Sequence, residues 1–549
     1  MILPQFATSR SPVQEQMVQF AGLDFRYGRD GAVWDGDGFS SDRYPSLSPR
    51  LPTETVDEYR EPSRVFAYGG GFLVVDGNEL KWNGETVTTL ENTENLLIAG
   101  INSKIVIFPQ KLAVDVSGST PKLESLECTL KGMLRYQVSA NEYVEDEGQY
   151  FDLLRCYYKD NTPFLFEGLR INDTISISGL RYKDHDKEGN PIVNLKIEAI
   201  TIRYISPDKE QIGFYANSLP KLIKSGLPKP MTFKRVVPDV DTLCESNNRL
   251  WATVGNTIRA SALGDPTNWN RYDGLSDDSY AVDVATDGAF TACGHYGTHV
   301  AFFKENVIHK IYGSRPANYQ MVSAVVPGVT SGAARTLATV GGVLYYVGNG
   351  GVYAYDGDCP TCISLPFAGR TIVPHFGVGT AQNYYLYADI GSGDMLLCYD
   401  TRKNVWSVEN RLWLTDATYS DGKRYDLCTD GRLLRSGAGN ENVEWWVQLA
   451  DIDEGASERK RYQKLTIRCQ MNGESTLRVD IRAGKGSWHE VFAEQGAHSD
   501  VLYIPVYPVH CTSLGIRFRC TGDVTIHSIT RQFGRAFRSG RMICRVLMK

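Results

Sequence analysis

Val343-Leu-Tyr-Tyr-Val347 and Gly351-Val-Tyr-Ala-Tyr355 decide the fold class of this chain. Each is a short run of β-branched and aromatic residues, and a small polar turn separates them, the pattern of an antiparallel hairpin. The same unit recurs in both directions. Toward the N-terminus it is seen at Phe72-Leu-Val-Val75 with Glu79-Leu-Lys-Trp82, at Lys104-Ile-Val-Ile-Phe108 with Leu112-Ala-Val114, at Arg249-Leu-Trp251 with Thr257-Ile-Arg-Ala-Ser261, and at His299-Val-Ala-Phe-Phe303 with Val307-Ile-His-Lys-Ile-Tyr312. Toward the C-terminus it is seen at Tyr384-Tyr-Leu-Tyr387 with Met395-Leu-Leu-Cys-Tyr399, and at Lys423-Arg-Tyr-Asp-Leu427 with Gly431-Arg-Leu-Leu434. A lone hairpin cannot bury its apolar face, so such units must stack. The later copies are spaced by roughly 40–50 residues, the length of one four-stranded propeller blade. The expected architecture is all-β, a β-propeller of about seven blades.

The repeat is interrupted and flanked by other patterns. Residues 1–63 are rich in Gly, Ser, Pro and Asp, with breakers clustered at Ser40-Ser-Asp-Arg-Tyr-Pro45, and read as an extended arm that orders only against a neighbouring molecule. Residues 64–130 hold the first blades. Residues 131–230 carry short alternating strands such as Ile175-Ser-Ile-Ser178 and read as a small inserted β domain. Blades resume over 231–440. Residues 441–532, with Leu465-Thr-Ile-Arg468, Leu477-Arg-Val-Asp-Ile481 and Leu514-Gly-Ile-Arg-Phe518, read as a C-terminal β-sandwich, and 533–549 as a basic tail.

Composition agrees with strands joined by tight turns. The 549-residue chain is too long for a single core, and its 52 Gly, 30 Tyr and 9 Trp favour β structure over helix. A net charge of −6 gives no sign of a protein that grips nucleic acid through its phosphates. Most of the 12 Cys lie singly, several inside apolar stretches, as buried reduced thiols do. The first ten residues lack the charged start and apolar core of a secretory signal, and no apolar window is long enough for a membrane span. Folding in a reducing cytoplasm, without membrane insertion, is the expectation.

Sites for chemistry are few. Cys359-Pro-Thr-Cys362 has half the spacing of a zinc site and lacks a second pair at a fitting distance. His295 and His299 lie four apart in a strand-and-turn context without the Glu a metalloprotease helix needs. Asp35-Gly-Asp37-Gly38 and Asp184-His-Asp186-Lys-Glu188-Gly189 resemble calcium loops, but the second has Leu195 where a closing Glu belongs. Glycosidase chemistry would need paired carboxylates, for which Asp283, Asp287 and Asp356 are the candidates and turn formation the simpler reading. The expectation is no catalytic residues, no cofactor and no metal.

Several strings resemble a family of tail proteins of phages and prophages of gut bacteria. They are Ile105-Val-Ile-Phe-Pro109, Val237-Pro-Asp-Val-Asp241, Asn248-Arg-Leu-Trp251, Ala262-Leu-Gly-Asp-Pro-Thr-Asn-Trp-Asn270, Asp278-Ser-Tyr-Ala-Val282, Phe302-Phe-Lys-Glu305, His309-Lys-Ile-Tyr-Gly313 and Pro316-Ala-Asn318. More distantly, the Gly-Asp-Pro string followed by an aromatic is similar to the propellers of tail nozzle or hub proteins of short-tailed phages. That resemblance implies a structural virion protein of the tail, assembled in the bacterial host cytoplasm. It further implies a homo-oligomer, most simply a hexameric ring, touching other tail or portal-adaptor proteins and passing double-stranded DNA without binding it specifically. Host recognition at the tail tip through carbohydrate, and a propeller glycoside hydrolase, are the alternatives.

Two sets of residues are assembly candidates. Gly264-Asp265-Pro266 should close a turn in which Asp accepts backbone N–H groups and Pro fixes φ, leaving Trp269 to pack against the next blade. In the tail, Arg535, Arg538, Arg541 and Arg545 alternate with Phe533, Phe537, Ile543 and Val546, with no acid after Asp523. Docking on an acidic surface of a neighbouring subunit is one reading, a solvated tail and nucleic-acid contact the others.

Overall fold

The structure, a computed structural model, describes residues 12–180, 195–219 and 227–535. It is an all-β protein, with no α-helix among the described residues. Two compact units make it up, one of residues 66–334, the other joining residues 1–65 to 335–549.

Seven four-stranded antiparallel sheets have the strand order of propeller blades. The first four are formed over 62–89, 97–125, 242–283 and 292–324, the next two over 338–362 and 373–410. The seventh takes Leu414–Ser420, Lys423–Cys428 and Arg432–Ser436, then borrows Thr53–Glu58 as its fourth strand. In each sheet the two central strands are the hairpin quoted above. Central strands are covered on both faces and so read as continuous apolar runs: His299–Lys304 is buried throughout, whereas the outer strand Gln320–Ala324 is mostly exposed.

The inserted domain lies between the second and third blades. Its seven strands, from Cys128–Val144 to Lys229–Arg235, form one sheet over a core that includes Leu134, Tyr136, Phe166, Ile177, Phe214 and Phe233. Arg235 fixes its exit. The guanidinium is buried against Asp173 at 2.8 Å and also donates to the Leu126 carbonyl at 2.9 Å, so removing Asp173 would leave an unpaired buried charge.

The C-terminal sandwich is built from two sheets. One has the order Val13–Met17, Val524–Arg535, Lys460–Met471, His498–Cys511; the other runs from Gly22–Leu23 and Ala32–Asp37 through Glu444–Leu449, Leu514–Thr521 and Thr476–Ala483 to Trp488–Gln495. Alternation carries its core. Leu477, Val479 and Ile481 face Leu514, Ile516, Phe518 and Cys520, all buried. Some of the strand arginines are committed to pairs: Arg517 and Arg519 both hold the buried Asp480, whose carboxyl stays below its ordinary range because those bonds outweigh the upward push of burial.

Two expectations need correction here. Residues 1–63 were expected to form an extended arm, but from residue 12 on they are not one, while residues 1–11 lie outside the described residues: Val13–Met17, Gly22–Leu23 and Ala32–Asp37 are strands of the sandwich, and Thr53–Glu58 belongs to the seventh blade. Their partners lie hundreds of residues away, and pairing supplies the burial that local periodicity lacks. Nor does a basic tail begin at 533. Phe533 is buried against Tyr462 within a strand that runs to Arg535.

Candidate functional site

The strands Thr257–Ala260 and Tyr280–Asp283 of the third blade are neighbours in the sheet, yet residues 261–279 intervene. Connections of that length without regular structure are uncommon and frequently functional. This one is fixed at many points. Gly264 takes φ +70°, where a side chain would be strained; its N–H donates to the Asn248 carbonyl at 2.7 Å and its carbonyl accepts from Asn102 Nδ2 at 3.0 Å. Asp265 Oδ1 accepts from the Thr267 N–H at 2.9 Å and hydroxyl at 2.7 Å, the turn chemistry expected from sequence.

Beyond Pro266 the indole of Trp269 is fully buried. Its Nε1 donates to the Pro266 carbonyl at 2.9 Å, and its ring packs in the core that joins the second and third blades with Ile101, Val106, Phe108, Leu250 and Ala252. Two buried arginines hold the rest of the loop. Arg249 donates to the carbonyls of Ser261 at 2.9 Å and Ser276 at 2.7 Å, and burial pushes its guanidinium below the ordinary value. Arg271 pairs with Asp278 at 2.9 Å and with Asp277. Against this fixed background three large apolar side chains face outward: Leu263, Tyr272 and Leu275, 47%, 56% and 51% exposed.

Arg249 escaped sequence reading because its partners are backbone carbonyls, which leave no mark in the residue pattern. Of the C-terminal candidates, Arg535 ends its strand opposite Lys460, and Arg538, Arg541 and Arg545 lie outside the described residues. Arg531, four residues before Arg535, is buried on Glu454, with Nε at 2.8 Å and Nη2 at 3.0 Å from its oxygens. Burial alone would lower this guanidinium; the Glu454 carboxylate reverses the shift and raises it.

That pair lines a cleft of about 840 Å³ in the sandwich unit, walled by residues 27–31 and 450–457. Glu454 sits at φ +51°, a region non-glycine residues seldom occupy. Asp453 beside it accepts the Tyr27 hydroxyl at 2.8 Å, a bond that pulls its carboxyl below the usual range.

The remaining candidates are dispersed. Cys359 is exposed and Cys362 lies 3.5 Å from the Ser364 hydroxyl. His295 bonds to the Ser246 hydroxyl at 2.8 Å, while burial lowers His299 to about 4. Asp35 pairs with Arg411, and burial raises Asp37. The loop 184–189 lies outside the described residues. Asp283 accepts the Thr257 hydroxyl at 2.7 Å. Among the described residues no group of three or more His, Cys, Asp or Glu is placed to hold a metal ion.

The sheets define the class: a β-propeller protein with an inserted β domain and a terminal sandwich. No family profile matches the chain, and no curated protein does. Solved structures similar to it include BamB from Moraxella catarrhalis, at 10% identity and TM-score 0.31 over 72% of this chain and 99% of that one. PorZ, a surface component of the type-IX secretion system of Porphyromonas gingivalis, shows 10% identity and TM-score 0.25 over 86% and 88%. The endosialidase of phage phi92 shows 10% identity and TM-score 0.24 over 81% and 74%.

Proposed function

We propose that the protein is a non-catalytic structural subunit of a bacteriophage tail, a nozzle- or hub-like β-propeller that assembles with copies of itself. The carrying observation is the loop 261–279. It is pinned by buried arginines and Trp269, so holding Leu263, Tyr272 and Leu275 in water adds no conformational freedom and serves no core. Apolar groups presented on a pre-ordered loop suit a protein–protein contact, because little entropy is lost on docking. The loop also contains Ala262–Asn270 and Asp278–Ser279, parts of the strings that resemble the phage tail family. On this reading the copies form a ring, hexameric in the nozzle-like case, that meets portal-adaptor or other tail proteins and lets DNA pass without binding it.

Light scattering on the purified chain tests the contact. Leu263→Ser combined with Tyr272→Ser is expected to reduce the oligomer to monomer with a melting temperature within a few degrees of the parent, since surface changes usually cost under about 0.5 kcal/mol. An oligomer of unchanged mass in the variant sinks the assignment of this loop. Carbohydrate recognition at a tail tip is favoured by one observation, Trp413, which is 74% exposed between blades six and seven. Glycan-array binding that is lost in Trp413→Ala would favour it.

A further inference from the structure

We infer that the acidic tip of the longest hairpin in the inserted domain of one copy docks in a basic cleft between the inserted domain and the third blade of the next copy. This rests on the reading that the chain assembles with itself. Charge and spacing along a single strand carry it.

The strand Cys128–Val144 joins the two surfaces. Its first part pairs with Lys229–Arg235 and its second with Gln149–Tyr157. In the first part, alternation turns Ile177, Met231 and Phe233 of the neighbouring strands into the core. Lys131, Ser176, Ser178, Thr232 and Lys234 are left on the other face, where they line a cleft of about 840 Å³ with Arg259 of the third blade. The carboxylates of its lining are already matched, Glu198 by Lys196 at 2.8 Å and Asp239 by Lys111 at 2.6 Å. Lys131 meets no carboxylate at ion-pair distance among the described residues, and Arg259 donates to the neutral amide oxygen of Asn270 at 3.1 Å. The cleft is therefore left with unmatched positive charge. Asn270 belongs to the pinned loop 261–279, so the cleft adjoins the surface assigned above to the contact between copies.

The second part of the strand ends in a tight turn, closed by the Gly148 N–H on the Val144 carbonyl at 2.9 Å with Gly148 at φ +63°. Glu142, Glu145, Asp146 and Glu147 are exposed on it, and none pairs with a cation among the described residues. Beside them Tyr143 and Tyr150 are half-exposed, their ring centroids 5.0 Å apart. From Lys131 to Val144 is roughly 40 Å of strand at about 3.3 Å per residue, so the tip does not reach the cleft of its own molecule. In a second copy the match is complete. The carboxylates meet Lys131, Lys234 and Arg259, and the tyrosines find Val236, Pro238 and Val254 in the lining. Two different patches meeting in this way make a head-to-tail contact, the kind that closes into rings.

Light scattering on two charge-reversed variants tests this. Lys131→Glu with Lys234→Glu spoils the cleft; Glu145→Lys with Glu147→Lys spoils the tip. Each variant alone should have the mass of one chain, with melting close to that of the parent. An equimolar mixture should give a mass of two chains and nothing larger, because one sound tip then meets one sound cleft. The parent oligomer should also dissociate as salt is raised to about 500 mM. Zero-length carbodiimide cross-linking of the parent needs no variant, and should join a carboxylate of residues 145–147 to the amine of Lys131 or Lys234 in a product of two chains. A parent oligomer that lacks this cross-link, or variants that keep its mass, overturns the contact and leaves self-assembly standing. Monomeric variants whose mixture stays monomeric overturn the head-to-tail pairing. A parent that is itself monomeric at low salt overturns both this contact and the reading it rests on.

Discussion

Trp269 and Tyr272 stand three residues apart and do opposite things. Trp269→Ala would open a void in the core between the second and third blades and should cost about 3–5 kcal/mol in thermal unfolding, whereas Tyr272→Ala should leave melting nearly unchanged. Trp269 could be read from sequence because a turn motif fixed its place. Arg531 could not: nothing beside it in sequence is acidic, and the carboxylate that makes burial tolerable, Glu454, is remote in the chain. A third residue supplies a pH signature. His309 is buried in the fourth blade between the Thr286 hydroxyl at 2.9 Å and the Ser323 hydroxyl at 2.7 Å, and burial lowers it to about 4. Between its ordinary value near 6.5 and 4 the unfolded chain therefore binds a proton that the folded chain does not. Stability should be full above about pH 6.5 and fall as pH drops toward 4, by at most about 3 kcal/mol from this group. Calorimetry across pH 7 to 5 should show that slope, reduced in His309→Gln; an equal slope in the variant would remove His309 as the cause.

At the scale of the element, what the sequence made legible was the centre of each blade. Every hairpin recognised from apolar runs is the inner pair of a four-stranded sheet, because strands covered on both faces must be apolar throughout. Outer strands such as Gln320–Ala324 are mostly exposed and mix apolar with polar residues, so their pattern merges with that of loops. The N-terminal strands were illegible for a different reason. Val13–Met17 is exposed over four of its five residues, and Thr53–Glu58 over all but its first; both are strands because Val524–Arg535 and Arg432–Ser436 offer open edges. Deleting residues 1–58 should therefore expose the edge of the seventh blade and one side of both sandwich sheets. The expected result is loss of a cooperative melting transition for the unit containing 335–549, with aggregation, while the signature of 66–334 persists in hydrogen exchange. Native-like protection throughout 335–549 in the deleted chain would contradict this.

For the whole molecule, a net charge of −6 gives nucleic-acid phosphates little to hold. Filter binding should find negligible affinity for duplex DNA at physiological salt. Neither the charge nor the fold fixes a place in a particle, since propellers host unrelated functions; the tail assignment stands on the resembling strings and on the pre-ordered loop that exposes Leu263, Tyr272 and Leu275. Electron microscopy of purified phage particles carrying this chain tests it most directly. The account predicts density for several copies arranged around the tail axis, with residues 261–279 of each pressed against a neighbouring subunit. Particles that lack the chain, or that hold it with this loop facing solvent, would contradict the account.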